Sequence, residues 1–231
     1  MSVLHVLSAG AAQGLLKALQ PAFEAAHGVT LQGRFGAVGA MKEALLAGEP
    51  CDLFVSTDAM VTELSSQGRL DGGTRAALGR VRTGVAVRAG DSRPDVSTPE
   101  SLRAALRAAS GIYFPDPLRA TAGIHFVQVL RELGIHDELL PRFRTFPNGA
   151  TAMRELAAAG GPGLIGCTQV TEILYTAGVE WVAMLPPRFE LATVYAAAVA
   201  AGSPQAAPAL RLVQLMTSDE AASLRQQGGF E

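Results

Sequence analysis

Thiols are scarce in this chain: Cys51 and Cys167 are the only two. Two cysteines cannot build a disulfide framework or a structural zinc site. The four histidines, His5, His27, His125 and His136, show no metal-ligand spacing, so neither a metal nor another cofactor is expected. Charge is also sparse, at 17% of residues, too little for a disordered tail or a coiled coil. Neither sign dominates. Nineteen Lys and Arg against twenty-one Asp and Glu leave a net charge of -2, so no general field draws the molecule to nucleic acid or anionic lipid. Every apolar stretch is broken by Gly, Pro or a charge well before the ~20 residues of a membrane span, and no membrane insertion is expected. Residues 1–7 lack a basic region followed by a long apolar one. The localisation expected is therefore cytoplasmic, or periplasmic if a signal peptide has been removed.

What the chain has in quantity is hydrophobic residues, 48% of 231, enough for one large fold or two smaller lobes at roughly 150 residues per domain. Val3 to Leu7 reads as a strand and runs through Ser8-Ala9-Gly10-Ala11-Ala12 into an amphipathic helix with Leu15, Leu16, Leu19 and Phe23 on one face. Val29-Thr30-Leu31 repeats the pattern, with the small-residue turn Phe35 to Gly39 before a helix carrying Met41, Leu45 and Leu46. Asp52 to Val55 does so again, and Ser56-Thr57-Asp58 opens a third helix with good N-cap residues. Strands alternating with helices at this spacing predict an α/β fold with a mostly parallel sheet, whose loops after the strands' carboxyl ends gather at one ligand-binding edge.

A longer strand, Val81 to Val87, is answered by another at 192–199. Between them runs a second α/β block: helix Pro99 to Ala109, strand Gly111 to Phe114, loop and helix Asp116 to Leu133, strand Arg144 to Phe146, helix Thr151 to Ala158, strand Gly163 to Gly166, helix Thr168 to Tyr175 and strand Val179 to Met184. Helix Pro204 to Met216 and a short one after Ser218-Asp219-Glu220 close the chain. The middle block reads as an insertion. This predicts lobe one from residues 1–82 and 196–231, lobe two from 83–195, and a ligand cleft between the lobes.

The junctions carry the candidate chemistry. At Ser8, Gly10 and Ala11, at Val38 and Gly39, and at Ser56 and Thr57, small side chains let backbone N–H groups at helix starts approach an anion. For any single junction, small residues equally serve helix-to-strand packing. In the second block, Asp116 to Gly123 brings Arg119, a planar cation that matches a carboxylate, and Thr121 beside a helix start. Asn148-Gly149-Ala150-Thr151 and Cys167-Thr168-Gln169 add neutral donors and acceptors, with capping as their other use. Cys167 lacks a neighbouring base that would make it a nucleophile, and no pair of catalytic carboxylates is evident, since Asp52, Asp58 and Asp116 read as strand-end or capping residues.

With these junctions, the chain resembles the type II periplasmic binding proteins, and among them the molybdate-binding proteins of ABC importers. The resemblance rests on residues 4–11, on Pro50 to Asp58 with its Asp-Leu-Phe-Val-Ser-x-Asp stretch, on Asp116-Pro117 with Ala122-Gly123-Ile124, and on Thr217 to Ala222. It implies a two-lobed type II periplasmic-binding-protein fold, a small anionic ligand, ABC transporter membrane subunits as partners, and a monomer. Molybdate binders hold their oxyanion with serine hydroxyls at the first two junctions and a tyrosine after a late strand. The matching positions here are Ala11, Val38 or Gly39, and Gly166 or Cys167, so those hydroxyls are missing. The expectation is a carrier of an organic carboxylate, with a carrier of molybdate or another oxyanion as one alternative. The same branch resembles aconitate isomerase, which makes an isomerase the alternative from another class. No catalytic residue is matched one to one; His125, Asp58 or a carboxylate of the cleft would have to supply the base. A cytosolic ligand sensor is the third reading.

Overall fold

The structure is a computed structural model and describes residues 2–231. Three strand-to-helix units open the chain. Strand β1 (Ser2–Ala9) leads through a single tight turn, Gly10–Ala12, into α1 (Gln13–His27); β2 (Val29–Gly36) leads into α2 (Val38–Leu46), and β3 (Leu53–Thr57) into α3 (Asp58–Ser66). Long strand β4 (Ala76–Arg88) follows. Then come α4 (Pro99–Ala108), β5 (Gly111–Pro115), α5 (Thr121–Glu132), the one-turn α6 (His136–Leu139), β6 (Phe143–Phe146), α7 (Gly149–Ala158), β7 (Leu164–Gln169), the short α8 (Val170–Leu174) and β8 (Val179–Met184). Strand β9 (Ala192–Val199) and helices α9 (Ala206–Thr217) and α10 (Ala222–Gln227) complete the fold. The chain forms two compact units, residues 1–81 with 193–231 and residues 82–192, so β4 passes from the first unit into the second.

In the first unit the strand order is β2-β1-β3-β9, with β1 parallel to both β2 and β3 and β9 antiparallel to β3. Alternation along these strands divides the core between two faces. Leu4, Val6, Leu53 and Val55 pack with Leu15, Leu16 and Phe23 of α1 and Leu212, Val213 and Met216 of α9. On the other face Leu7 and Phe54 pack with Met41 of α2 and Val61 and Leu64 of α3. Each fully buried Leu or Phe contributes about 1.5–3 kcal/mol relative to exposure. Helix α1 stops at Gly28, which adopts the left-handed conformation (φ 64°) that glycine alone takes without cost.

The second unit has the order β8-β4-β7-β5-β6, with β5 parallel to β6 and β7, and β4 antiparallel to β7 and β8. One face of this sheet packs Val85, Ile112, Phe114, Ile165 and Cys167 against Phe126 and Leu130 of α5 and Leu102 and Leu106 of α4. The other packs Ala86 and Leu164 against Ala152, Met153 and Leu156 of α7. Helix α4 starts on a reciprocal cap: Thr98 Oγ1 accepts the Ser101 amide at 3.1 Å, and Ser101 Oγ accepts the Thr98 amide at 3.0 Å.

Several element boundaries differ from the sequence reading, and one helix is additional. Strand β4 begins at Ala76 rather than near Val81, because the alternation of 76–80 is broken by Gly79 and three charged or small positions. Helix α6 was not anticipated, since four residues carry too little periodicity. Thr168 and Gln169 belong to β7, not to the following helix, because they pair with Gly84 and Thr83 of β4. Among the described residues no helix is long and apolar enough to cross a membrane.

Candidate functional site

Because β1, β2 and β3 are mutually parallel, their carboxyl ends and the helix starts that follow lie along one edge of the first unit. Helices α1 and α2 start on Ala12 and Ala37, neither of which supplies a side-chain cap. Apart from the Gln13 side chain, the donors in these first turns are backbone amides, which the helix dipole makes favourable toward an anion. Gly10 and Ala11 are buried in the first junction, and Val38 and Gly39 are half-buried at the start of α2. Thr57 is the N-cap of α3 and its hydroxyl accepts the Met60 amide at 3.3 Å.

The two buried serines at this edge are not brought to one face. Ser8 pairs in register with Val55, which puts Ser8 and Ser56 on opposite sides of the sheet. Ser8 Oγ donates to the Ala9 carbonyl at 2.9 Å. Ser56 Oγ is buried and has no partner among the described residues. Asp58, a possible base in the isomerase reading, is held by Arg75 in a two-pronged pair at 2.8 and 2.5 Å. Asp52 is a structural strut: it accepts the His5 amide at 2.8 Å and the Ser203 hydroxyl at 2.6 Å.

In the second unit β5 and β7 run parallel, so α5 and α8 start at the same sheet edge. Asp116 shapes the loop before α5 by accepting the Leu118 and Arg119 amides at 2.7 and 3.2 Å. The Arg119 residue is exposed, and Thr121, half-buried, is the first residue of α5 behind an N-cap, Ala120, that contributes no side chain. Gly123 has to be glycine, since a Cβ there would lie 2.3 Å from the Pro115 carbonyl oxygen and 2.4 Å from that of Asp116. His125 Nε2 lies 2.8 Å from the Phe189 carbonyl oxygen. A carbonyl only accepts, so Nε2 carries a hydrogen, and in the neutral tautomer the lone pair is on Nδ1.

At α7, Asn148 caps the helix by accepting the Thr151 amide at 2.8 Å, and Thr151 Oγ1 accepts Arg154 Nη2 at 3.1 Å. The remaining amides of this first turn meet a carboxylate that the sequence reading did not single out. Glu172 is 7% exposed; its Oε1 accepts the Ala150 amide at 3.3 Å and its Oε2 the Thr168 hydroxyl at 2.5 Å. Burial pushes the Glu172 carboxyl above its ordinary range, opposed by the hydrogen bonds from Thr168 and from the Ala150, Gly149 and Gln169 amides. Gly149 makes room for it, for a Cβ at that position would lie 1.9 Å from Thr168 Oγ1 and 2.0 Å from Glu172 Oε2. Nothing in the pattern Val-Thr-Glu distinguishes this residue from an ordinary acidic first-turn glutamate.

Cys167 faces the apolar cluster of Val85, Phe126 and Leu130, and burial raises its pKa. That environment makes it an inert core thiol. Among the described residues no three His, Cys, Asp or Glu side chains are grouped to hold a metal. Besides Ser56, three polar side chains are buried without a partner among the described residues: Thr83, Gln169 and Thr171. Of these, Gln169 was visible in the sequence only as one of several neutral groups near a helix start.

Two α/β units, each with helices starting at the carboxyl edge of parallel strands, define a type II periplasmic-binding-protein fold. The chain belongs to the bacterial extracellular solute-binding protein family, which it matches over residues 4–231. It is 24% identical over 237 residues to an aconitate isomerase of Pseudomonas sp., an alignment covering 100% of this chain and 88% of the relative. In fold it is similar to the periplasmic molybdate-binding protein of Azotobacter vinelandii, with a TM-score of 0.80, 20% identity and coverage of 99% and 98% of the two chains. It is also similar to the sulfate-binding protein SubI of Mycobacterium tuberculosis, with a TM-score of 0.76, 18% identity and coverage of 100% and 86%.

Proposed function

We propose that this solute-binding protein captures a small organic carboxylate, in preference to molybdate or sulfate, and delivers it to the membrane subunits of an ABC importer from the periplasm. The observation that carries this reading is the chemistry of the first-unit junctions. Helices α1 and α2 begin on alanines, Ala11, Val38 and Gly39 bring no hydroxyl, and the Ser8 hydroxyl donates to its neighbouring carbonyl. A tetrahedral oxyanion needs donors around all its oxygens, and each one missing lowers affinity by about 0.5–1.5 kcal/mol, more against a charge. A carboxylate needs fewer donors at any one point. Arg119 and Thr121, at the start of α5, are the residues this reading assigns to it in the second unit.

Thermal-shift assays with a ligand panel test the reading. A ligand that binds only the native state adds RT ln(1 + [L]/Kd), about 2.7 kcal/mol at a hundredfold excess over Kd. Stabilisation by citrate or another carboxylate at millimolar concentration is expected, and Arg119→Ala should weaken it. Strong stabilisation by micromolar molybdate with none from carboxylates would refute the proposal.

A second reading is favoured by the full-length likeness to an aconitate isomerase. In it His125, with its Nδ1 lone pair, removes a proton beside a carboxylate and backbone donors hold the resulting enolate-like charge. Incubation with cis-aconitate followed by NMR separates the two: catalytic appearance of the trans isomer supports the enzyme, and binding without turnover supports the carrier.

A further inference from the structure

Thr83 and Gln169 are register partners at the end of the antiparallel β4–β7 pair. Thr83 is 1% exposed and Gln169 is 2% exposed, yet Thr83 Oγ1 and both Gln169 Nε2 and Oε1 lack a partner among the described residues. Because both ends of the carboxamide are unpaired, the deficit is the same whichever way the amide is turned. Buried polar groups in native proteins are nearly always satisfied, and a carboxamide with neither end engaged calls for an explanation.

The place of this pair in the fold supplies one. Residues two apart on a strand share a face, so Thr83 lies on the same side as Val85, and Gln169 on the same side as Cys167. That side packs against Phe126 of α5 and against Phe189. Strands β5 and β7 are parallel, so Gln169, the last residue of β7, stands at the carboxyl edge where α5 begins. Helix α5 is twelve residues long, is pressed onto the Pro115 and Asp116 carbonyls at Gly123, and has no side chain capping its start. A buried donor, a buried acceptor and a hydroxyl that is either thus lie at the sheet edge from which α5 starts, a helix start that favours negative charge.

We propose that Gln169 and Thr83 read a hydroxyl group on the ligand, so that the carboxylate taken by this protein is a hydroxycarboxylate. This inference rests on the carboxylate reading above and narrows it. A fully deprotonated molybdate or sulfate offers acceptors alone and would face the Gln169 carbonyl oxygen without a proton to share. An unsubstituted di- or tricarboxylate at neutral pH has the same deficiency. A hydroxyl donates to Oε1 or Thr83 while accepting from Nε2, and its neighbouring carboxylate is suited to the first turn of α5. Sites that hydrogen-bond a substrate hydroxyl discriminate against the analogue lacking it, because their own polar groups are then left unpaired.

Isothermal titration of the whole chain with two matched pairs, citrate against tricarballylate and malate against succinate, tests this. At least one hydroxylated member should bind about tenfold or more tightly than its deoxy partner, the equivalent of one well-made hydrogen bond. In Gln169→Leu, which keeps the volume and removes both polar ends, the ratio should fall to about twofold or less, and Thr83→Val should reduce it in part. The wild-type ratio and the Thr83→Val variant keep the test decisive if Gln169→Leu fails to fold. Carboxylate binding with no preference for the hydroxyl, as expected if a water molecule satisfies Gln169, overturns this inference and leaves the carrier reading standing. A preference that survives intact in both variants overturns it as well. Failure of all four acids to bind overturns the carboxylate reading itself and this inference with it.

Discussion

Replacing Gly149 by alanine adds a single methyl group where there is no room for one. The new carbon would sit 1.9 Å from Thr168 Oγ1, 2.0 Å from Glu172 Oε2 and 2.6 Å from Glu172 Cδ, against the 3.5–4.0 Å of an ordinary contact. Neither neighbour can swing into solvent, since Thr168 is 0% exposed and Glu172 7% exposed. Either the carboxylate leaves the α7 amides or α7 moves off the sheet, and both break hydrogen bonds to a buried acidic group. Hydrogen bonds to charged groups contribute about 1.5–3 kcal/mol each. Against this, alanine gains up to about 1 kcal/mol of helix propensity over glycine. The net expected loss is about 3 kcal/mol. Urea unfolding followed by fluorescence of Trp181, the sole tryptophan and a residue of β8 in the same unit, measures it. The double variant Gly149→Ala, Glu172→Ala should lose less than the sum of its single changes, because Glu172 carries part of the clash and the bonds it breaks, while the clash with Thr168 remains. A single-variant loss under about 1 kcal/mol, or strict additivity, would refute the reasoning.

Three further outcomes are expected. Because the folded state raises the Glu172 pKa, it holds that proton more tightly than the unfolded chain, so this residue's contribution is fully present at low pH and declines as pH rises above the ordinary carboxyl value. The stability of wild type relative to Glu172→Gln should therefore fall with rising pH, by at most about 1.4 kcal/mol per unit; urea titrations between pH 5 and 8 that give a constant difference would contradict this. Burial pushes the Cys51 thiol up to about 12 and raises that of Cys167 as well, so Ellman's reagent at pH 8 should react slowly with the native protein, and with Cys51 first because Cys167 is fully buried. Thr98→Ala should cost about 1 kcal/mol by removing one half of the α4 cap, measurable as a lower urea midpoint with an unchanged slope.

The α/β alternation was legible because its signals are local. Leu15, Leu16, Leu19 and Phe23 show the helical period in the sequence and all four are buried in α1, and Asp52 to Val55 followed by Ser-Thr-Asp marks β3 and the cap of α3. The site was legible only as a set of junctions. Ser8 and Ser56 both follow strands, but whether they meet depends on the register Ser8 to Val55, which no local signal encodes. Gln169 looked like part of a helix start because the ladder that keeps it in β7 comes from β4, more than eighty residues earlier in the chain. Glu172 escaped notice for a related reason: its burial arises from contacts with Gly149, Ala150 and Thr168, and a glutamate in isolation reads as a surface residue.

The passage of β4 from one unit to the other has a consequence for how the protein is made. The second unit is one continuous stretch, residues 82–192, whereas the first needs two separated segments. During synthesis the second unit is complete while the first still lacks β9, which pairs with β3 from Leu53 to Thr57, and lacks the backbone pair that ties Glu231 to Arg80 with two bonds of 2.8 Å. Closing β3 onto β9 brings together residues about 140 positions apart, a loop-closure cost that slows folding. Until then β3 presents an unpaired edge. Chaperone capture or aggregation of the nascent chain should therefore centre on the half-built first unit, and a circular permutant that joins the two segments of that unit and opens the chain within β4 should shorten this exposure.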